Sequence, residues 1–332
     1  MSNETLEKMI TDFLKLDMPV SSFAWQGGEP TLMGLDFYKK AVELQKRLGK
    51  PGQLVSNALQ TNAVLLDANW CRFLSEYEWL VGISLDGPKH LHDHYRLDHA
   101  GNPTFDKVVS AIKKCREHKV QFNILVLLND KNVTAPDELF DFFTGMNIRY
   151  LQFVPCVEND PATGKVADFS ITPEQYGAFL CRIFDRWTGY GPEKLSIRIL
   201  DSIMNYLVRG RHTNCSFGNS CNDYIVIEHN GDAFCCDFFV DEAHRLGSIL
   251  DTDIGELTQG KTKRNFARQK SKISNKCLIC RHNAICRGGC LKDRIILNGN
   301  SSDPSYFCRA YKQFFDHSLA RLTQIASKIT AK

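Results

Sequence analysis

At 332 residues, with 43% apolar and 24% charged content, the chain has material for one large α/β domain and a smaller one. A formal net charge of +3 with scattered Lys and Arg argues against nucleic acid or an anionic membrane as the main partner. Thirteen cysteines, with no run of membrane-spanning length and no signal-peptide pattern, point to a cytoplasmic protein whose thiols hold metal rather than pair as disulfides.

The elements follow in order. Leu6, Met9, Ile10, Phe13 and Leu14 recur at helical spacing over residues 3–16. Ser22–Gln26 reads as a short strand running into Gly27-Gly28-Glu29-Pro30, whose glycines let a backbone approach a ligand closely. A helix over Phe37–Leu48 precedes a strand over Gln53–Ser56, followed by the polar groups Asn57 and Gln60-Thr61-Asn62. A helix around Asp67–Glu76 leads to the strand Trp79–Ser84 and then Leu85-Asp86-Gly87-Pro88. His90, His92 and His94 alternate just beyond, and they read as exposed side chains of a loop or helix start rather than as a metal site.

A helix over 106–118, a strand over Val120–Leu128, a helix through Leu139–Phe143 and a strand over Tyr150–Val154 continue the alternation. Such βα pacing argues a parallel sheet with right-handed crossovers, open or closed as a partial barrel, with ligands at its carboxyl edge. A turn-rich loop over 157–170 precedes a helix entered through Thr172-Pro173, whose stripe of Tyr176, Phe179, Leu180, Ile183, Phe184 and Trp187 reads as core. A hairpin is expected from Tyr224–Ile227 through Asn230-Gly231 to Ala233–Cys235, and a closing helix over about Pro304–Ser327. The basic run Lys261–Arg264 reads as a solvated helix face.

The densest chemistry is C-terminal. Cys277, Cys280, Cys286, Cys290 and Cys308 form C-x2-C-x5-C-x3-C-x17-C, one ligand too many for a single tetrahedral centre. Cys215, Cys221 and one of Cys235/Cys236 bring the tally to eight, enough for two centres of four thiolates. Iron–sulfur clusters suit this spacing better than two zinc pairs, although sequence alone leaves zinc open. Asp237, directly after Cys236, is a candidate general base or a turn-stabilising carboxylate.

Taken together, Phe23–Leu32 with its Gln-Gly-Gly-Glu-Pro, Gln60-Thr61-Asn62, Ser84–Pro88 and the cysteine array resemble radical S-adenosylmethionine enzymes carrying a SPASM domain, and among them the anaerobic sulfatase-maturating enzymes. The resemblance covers nearly the whole chain. It implies a partial (β/α)6 barrel over 1–156, here lacking its first strand, a connecting helical segment over 157–212, a SPASM domain over 213–310 and a C-terminal helix over 311–332. It implies two [4Fe-4S] auxiliary clusters, one on Cys215, Cys221, Cys236 and Cys290, the other on Cys277, Cys280, Cys286 and Cys308. Gln26, Gly27, Gly28 and Glu29 would line the S-adenosylmethionine and substrate pocket, Ser84, Asp86 and Arg96 would serve the cofactor, and Asp237 would deprotonate the substrate.

The implied reaction oxidises a Cys or Ser of an unfolded sulfatase peptide to Cα-formylglycine, with a small protein as electron donor and no nucleic acid or membrane partner. The alternatives are a maturase of another ribosomally made peptide and a non-catalytic iron–sulfur or zinc scaffold that docks peptides. Family chemistry also uses a C-x3-C-x2-C loop for a third cluster, and no three cysteines here have that spacing. The expectation is a family member missing its N-terminus, most simply through a late start codon, whose 332 residues bind two auxiliary clusters without cleaving S-adenosylmethionine.

Overall fold

The computed structural model describes residues 1–330. In chain order the elements are α1 (Asn3–Lys15), β1 (Ser21–Trp25), α2 (Leu35–Leu48), β2 (Val55–Thr61), α3 (Ala68–Glu76), β3 (Leu80–Ser84), α4 (Lys89–Tyr95), α5 (Phe105–Glu117), β4 (Gln121–Leu128), α6 (Pro136–Gly145) and β5 (Tyr150–Pro155). There follow α7 (Pro173–Tyr190), β6 (Ser196–Ile197), α8 (Arg198–Arg209), β7 (Val226–Ile227), β8 (Asp232–Phe234), β9 (Arg245–Ser248), α9 (Ile254–Gln259) and α10 (Lys261–Gln269). Three short helices, α11 (Asn275–Leu278), α12 (Asn283–Cys286) and α13 (Leu291–Ile295), precede the long α14 (Cys308–Thr330). The first six strands form one sheet in sequence order, with β1 on β2, β4 on β5 and β5 on β6 all parallel.

By compactness the chain divides into two units, each discontinuous in sequence: 1–82, 111–121 and 220–269 form the first, and 83–110, 122–219 and 270–332 the second. The core of the first unit starts from the α1 stripe. Ser2 caps that helix by accepting from Thr5 N at 3.1 Å, and Leu6, Met9, Ile10 and Leu14 are buried against Phe23, Ala41, Leu44, Ala233, Ile249, Ile254 and Leu257. Each of the Leu, Ile, Met and Phe side chains contributes roughly 1.5–3 kcal/mol on burial. In the second unit α7, entered through a Thr172/Gln175 capping box, buries its aromatic stripe with α14, where Tyr176 meets Tyr311 edge-on at 6.1 Å between ring centroids.

Several sequence expectations shift. β2 starts at Val55 and runs to Thr61, because the in-register pairing Ser21↔Val55 to Trp25↔Leu59 draws the polar residues into the strand, where Asn57 accepts from Trp25 Nε1 at 3.0 Å. The two-residue β6 is too short to leave a pattern. The hairpin closes through a three-residue loop, His229 to Gly231, since Glu228 N donates to Asp232 O at 2.8 Å and only Gly231 of that loop has a positive φ, +91°. A third strand, β9, pairs with β8, and α14 begins at Cys308 rather than near Pro304. Residues 331 and 332 of the expected closing helix lie outside the described residues.

Two readings of charge and exposure are corrected. His92 lies inside α4 and is 1% exposed, with Nδ1 accepting from Asp86 N at 3.2 Å and Nε2 against Thr104 Oγ1 at 3.1 Å. Because that hydroxyl donates to Arg96 O at 2.7 Å, Nε2–H must donate to it, which fixes the neutral tautomer. Lys263, placed on a solvated face by its basic neighbours, is also 1% exposed. Its ammonium is turned inward.

Candidate active site and cluster ligands

In the first unit the chain leaves β8 through Cys235, Cys236 and Asp237. Cys235 is buried, and desolvation raises its thiol pKa. Burial likewise pushes Cys236 up to about 12. The exposed Asp237 carboxylate gathers three donors: Tyr224 Oη at 2.9 Å and Cys236 Sγ at 3.2 Å on Oδ1, and Gln26 Nε2 at 3.2 Å on Oδ2. Desolvation first, then Cys236 and Asp237, raise the Tyr224 phenol far above its ordinary value, so it stays a donor. A carboxylate fixed from both sides yet open to solvent can accept a proton from an incoming group. Sequence reasoning named Gln26 and Asp237 separately and treated Tyr224 as a strand residue only.

The loop after β1 is tied down by Glu29. Its Oε1 accepts from Thr31 N at 3.0 Å, Thr31 Oγ1 at 2.6 Å and Thr61 Oγ1 at 2.7 Å, and its Oε2 from Asn62 N at 2.8 Å. The charge of Glu29 is thus committed to joining this loop to the end of β2. Gly27 and Gly28 take φ values of +103° and +54°, and nothing stands within 4 Å of where a Cβ would be. Glycine adopts these angles with the least strain and leaves the peptide bare for a ligand.

In the second unit Ser84 ends β3, half-buried, and Asp86 follows at 2% exposure. Arg96 clamps Asp86 through Nε to Oδ2 at 2.6 Å and Nη2 to Oδ1 at 3.2 Å, while Leu127 N donates to Oδ1 at 2.9 Å. These two sequence-selected residues therefore meet each other. The pair is a fork-type ion pair in a largely dry setting.

Four of the selected cysteines converge in the same unit. Cys277, Cys280, Cys286 and Cys308 line one cavity with Lys276, Lys312 and Tyr311. Burial pushes the Cys286 thiol up to about 12, with the charges of Cys308 and Cys277 adding to the effect, and Cys308 is raised by burial and by Cys277 and Cys280. Closely grouped thiols that resist ionising alone become ligands once a cation neutralises them. His282 and Asn283 also line this cavity, and Nδ1 of His282 and Oδ1 of Asn283 are buried without a hydrogen-bond partner. Among the described residues no three His, Cys, Asp or Glu side chains are grouped as for a single metal ion. An all-thiol set spread around a cavity, with an unpartnered imidazole nitrogen on one of the lining residues, fits a cluster whose sulfurs accept hydrogen bonds.

Of the remaining candidates, Cys215 and Cys290 lie in the second unit and interact electrostatically, and Cys221 and Cys236 lie in the first. Cys71 and Cys115, which no motif claimed, are both fully buried in the first unit with their sulfurs 3.9 Å apart.

Comparison with known proteins gives this geometry its context. Residues 1–143 match the radical SAM superfamily and residues 215–282 an iron–sulfur cluster-binding SPASM domain. The chain is 36% identical to the serine-type anaerobic sulfatase-maturating enzyme of Bacteroides thetaiotaomicron, over 96% of this chain and 80% of that protein. It is 34% identical to the cysteine-type enzyme of Clostridium perfringens, over 99% of this chain and 90% of that one. Native anSMEcpe with bound AdoMet and Cp18Cys peptide superposes with a TM-score of 0.94 at 33% identity, covering 99% of this chain and 92% of that structure. These domains bring iron–sulfur clusters and S-adenosylmethionine binding with them. The chain belongs to the anaerobic sulfatase-maturating enzymes, protein-modifying radical SAM oxidoreductases with a SPASM domain.

Proposed function

We propose that the chain, joined to a C-x3-C-x2-C segment, oxidises the Cβ of a Cys or Ser in an unfolded sulfatase peptide to Cα-formylglycine, with Asp237 taking the proton from the thiol or hydroxyl. The observation that carries this is the exposed Asp237 carboxylate held by Gln26 on one oxygen and Tyr224 on the other, directly after a cluster-ligand cysteine. When bound, S-adenosylmethionine with a reduced cluster would supply the radical chemistry that takes a hydrogen atom from the substrate Cβ, and an auxiliary cluster would accept the remaining electron. The bare peptides of Gly27 and Gly28, beside Gln26 and Glu29, are the surface for cofactor and substrate in the first unit. By resemblance, Ser84, Asp86 and Arg96 are assigned to the cofactor as well.

Two auxiliary [4Fe-4S] clusters follow from the donor sets: Cys277, Cys280, Cys286 and Cys308 around one cavity, and Cys215, Cys221, Cys236 and Cys290 by resemblance. In this reading residues 213–310 act as the SPASM domain and 1–156 as the barrel, joined by 157–212 and closed by the helix at 311–332. A peptide substrate accords with the peptide bound in the related structure. A small electron-donor protein and a cytoplasmic setting complete the proposal, and no described helix is long and apolar enough to cross a membrane.

The test is mass spectrometry of a sulfatase-derived peptide, in its Cys and Ser forms, incubated anaerobically with reductant, S-adenosylmethionine and the chain joined to a C-x3-C-x2-C segment ahead of Met1. Formylglycine in either peptide supports the reading. Unmodified peptide accompanied by 5′-deoxyadenosine refutes it.

A further inference from the structure

The loop that carries Cys277 and Cys280 turns two apolar side chains to water. Ser274 caps α11, its Oγ accepting from Cys277 N at 3.2 Å, and Cys280 N closes the next turn on Cys277 O at 3.1 Å. This tight path sets both cysteines on the cavity that Cys286 and Cys308 also line, all four within the second unit. The two residues between them go the other way. Leu278 is 60% and Ile279 88% exposed. Apolar residues scattered singly over a surface need no explanation, whereas an adjacent pair rimmed by charge marks a place where something binds.

The rim here is cationic. Lys276 and Lys312 are exposed, both line the same cavity, and among the described residues neither is held in an ion pair. Arg281, next to Cys280, pairs with Asp316, and Arg309, next to Cys308, pairs with Glu174 at 3.1 Å. Those two pairs cancel their own charge, so the two lysines leave the face positive. An apolar centre inside a charged, wetted rim is the anatomy of a recognition patch. Its sign selects an acidic partner, and its small size suits the brief contacts made by electron-transfer proteins.

We infer that Leu278 and Ile279, rimmed by Lys276 and Lys312, form the docking face for a small acidic one-electron carrier, a flavin or iron–sulfur protein. The placement decides the kind of partner, because a protein seated on these two side chains sits one residue away from two of the thiols that line the cavity. In the exchange the oxidised carrier gains one electron that the cluster on those thiols gives up, with no bond made or broken and no proton moved. The lysines steer the approach, and the apolar pair holds the contact once made. The inference rests on the assignment of Cys277, Cys280, Cys286 and Cys308 given under the proposed function.

The experiment titrates the anaerobically reconstituted 332-residue chain by calorimetry with an acidic flavodoxin, at low and at high salt, and with a basic cytochrome c as the charge control. Lys276→Glu/Lys312→Glu and Leu278→Ser/Ile279→Ser variants are treated alike, with iron and sulfide counted in each, and flavodoxin reduction by the pre-reduced chain is timed by stopped flow. Cys308→Ala tests the ligand set separately. If it keeps the parent's iron and spectrum, the ligand assignment fails whatever the face binds. The flavodoxin is expected to bind the parent chain, more weakly as salt rises, and to bind each double variant about tenfold more weakly at the parent's iron content, with slower reduction. Cytochrome c is expected not to bind. Equal flavodoxin binding by parent and both variants, no binding to the parent at low salt, or cytochrome c bound as tightly overturns the inference. So does iron loss in both double variants, which would make these side chains supports of the ligand loop. Self-association of the parent chain that Leu278→Ser/Ile279→Ser abolishes overturns it in favour of a contact between two copies.

Discussion

The Gln26 side-chain amide donates to Oδ2 of Asp237 at 3.2 Å, joining residues 211 positions apart within the first unit. Tyr224 meets the other oxygen at 2.9 Å, so the carboxylate plane is fixed by two elements. In the chain joined to a C-x3-C-x2-C segment, Asp237→Asn is expected to lower formylglycine formation by about 10²–10⁴-fold, the usual worth of a general base. Iron content should stay at the parent level. Tyr224→Phe, which keeps the ring and removes one donor to the Asp237 carboxylate, should lower turnover less. Turnover at the parent level would assign Tyr224 to packing.

Glu29 supplies a second expectation. Its carboxylate accepts from two threonine hydroxyls and two backbone amides, so Glu29→Ala strands Thr31 N and Asn62 N as well as removing a charge. The chain should lose roughly 2–3 kcal/mol of stability, read from urea unfolding. S-adenosylmethionine binding, followed by equilibrium dialysis, should weaken as the loop holding Gly27 and Gly28 is released. Full-strength binding in a destabilised variant would show that the loop holds its shape without this carboxylate.

Arg96 and Asp86 separate a structural from a ligand-binding role. Arg96→Ala leaves the 2%-exposed Asp86 with Leu127 N but no cation, a loss of about 3–5 kcal/mol for a buried pair broken on one side. Arg96→Lys is expected to recover little of it, since a point charge cannot reproduce the two-pronged contact. Urea unfolding curves of the two variants decide this, and a lysine variant as stable as the parent would contradict it.

The buried His92 makes stability depend on pH. Burial lowers its pKa from 6.5 to about 4 despite the nearby Asp86 carboxylate, so the unfolded chain binds the proton more readily than the folded one. The contribution is complete above pH 6.5 and is lost as pH falls towards 4. Between pH 7 and pH 5 it amounts to about 2 kcal/mol. His92→Gln should be less stable at pH 7 and show a correspondingly flatter loss on acidification, measured by urea midpoints at both values.

Much of this fold was visible in advance, and the gaps have physical causes. α1, α7 and most strands showed their period because their buried faces are continuous, and Thr172-Pro173 marked its own helix start. β6 has only two residues, too few for alternation to appear. Lys263 was misplaced because composition reports what neighbours a residue has in sequence, whereas its three carbonyl partners lie 28 to 42 positions away. Tyr224 carried no signal of its own, since a phenol three residues past a cysteine is unremarkable until β8 brings Asp237 beside it. The cysteines were the reverse case, legible as a set from spacing alone, with their division into two centres supplied by resemblance.

The absence of C-x3-C-x2-C from the 332 residues gives a further expectation. The reconstituted polypeptide should bind iron and sulfide yet release no 5′-deoxyadenosine with a strong reductant. Chromatography of the quenched mixture settles it, and nucleoside above the no-protein control would mean that other thiols of this chain present an open iron.

The α1 stripe of Leu6, Met9, Ile10 and Leu14 is covered in part by Ile254 and Leu257, residues made some 240 positions later. At an elongation rate of about 5–20 residues per second, this greasy face waits on the order of 12–50 s on the ribosome before its lid is synthesised. During translation the nascent chain therefore offers a long-lived landing place for a holdase, and release must be timed to the emergence of α9.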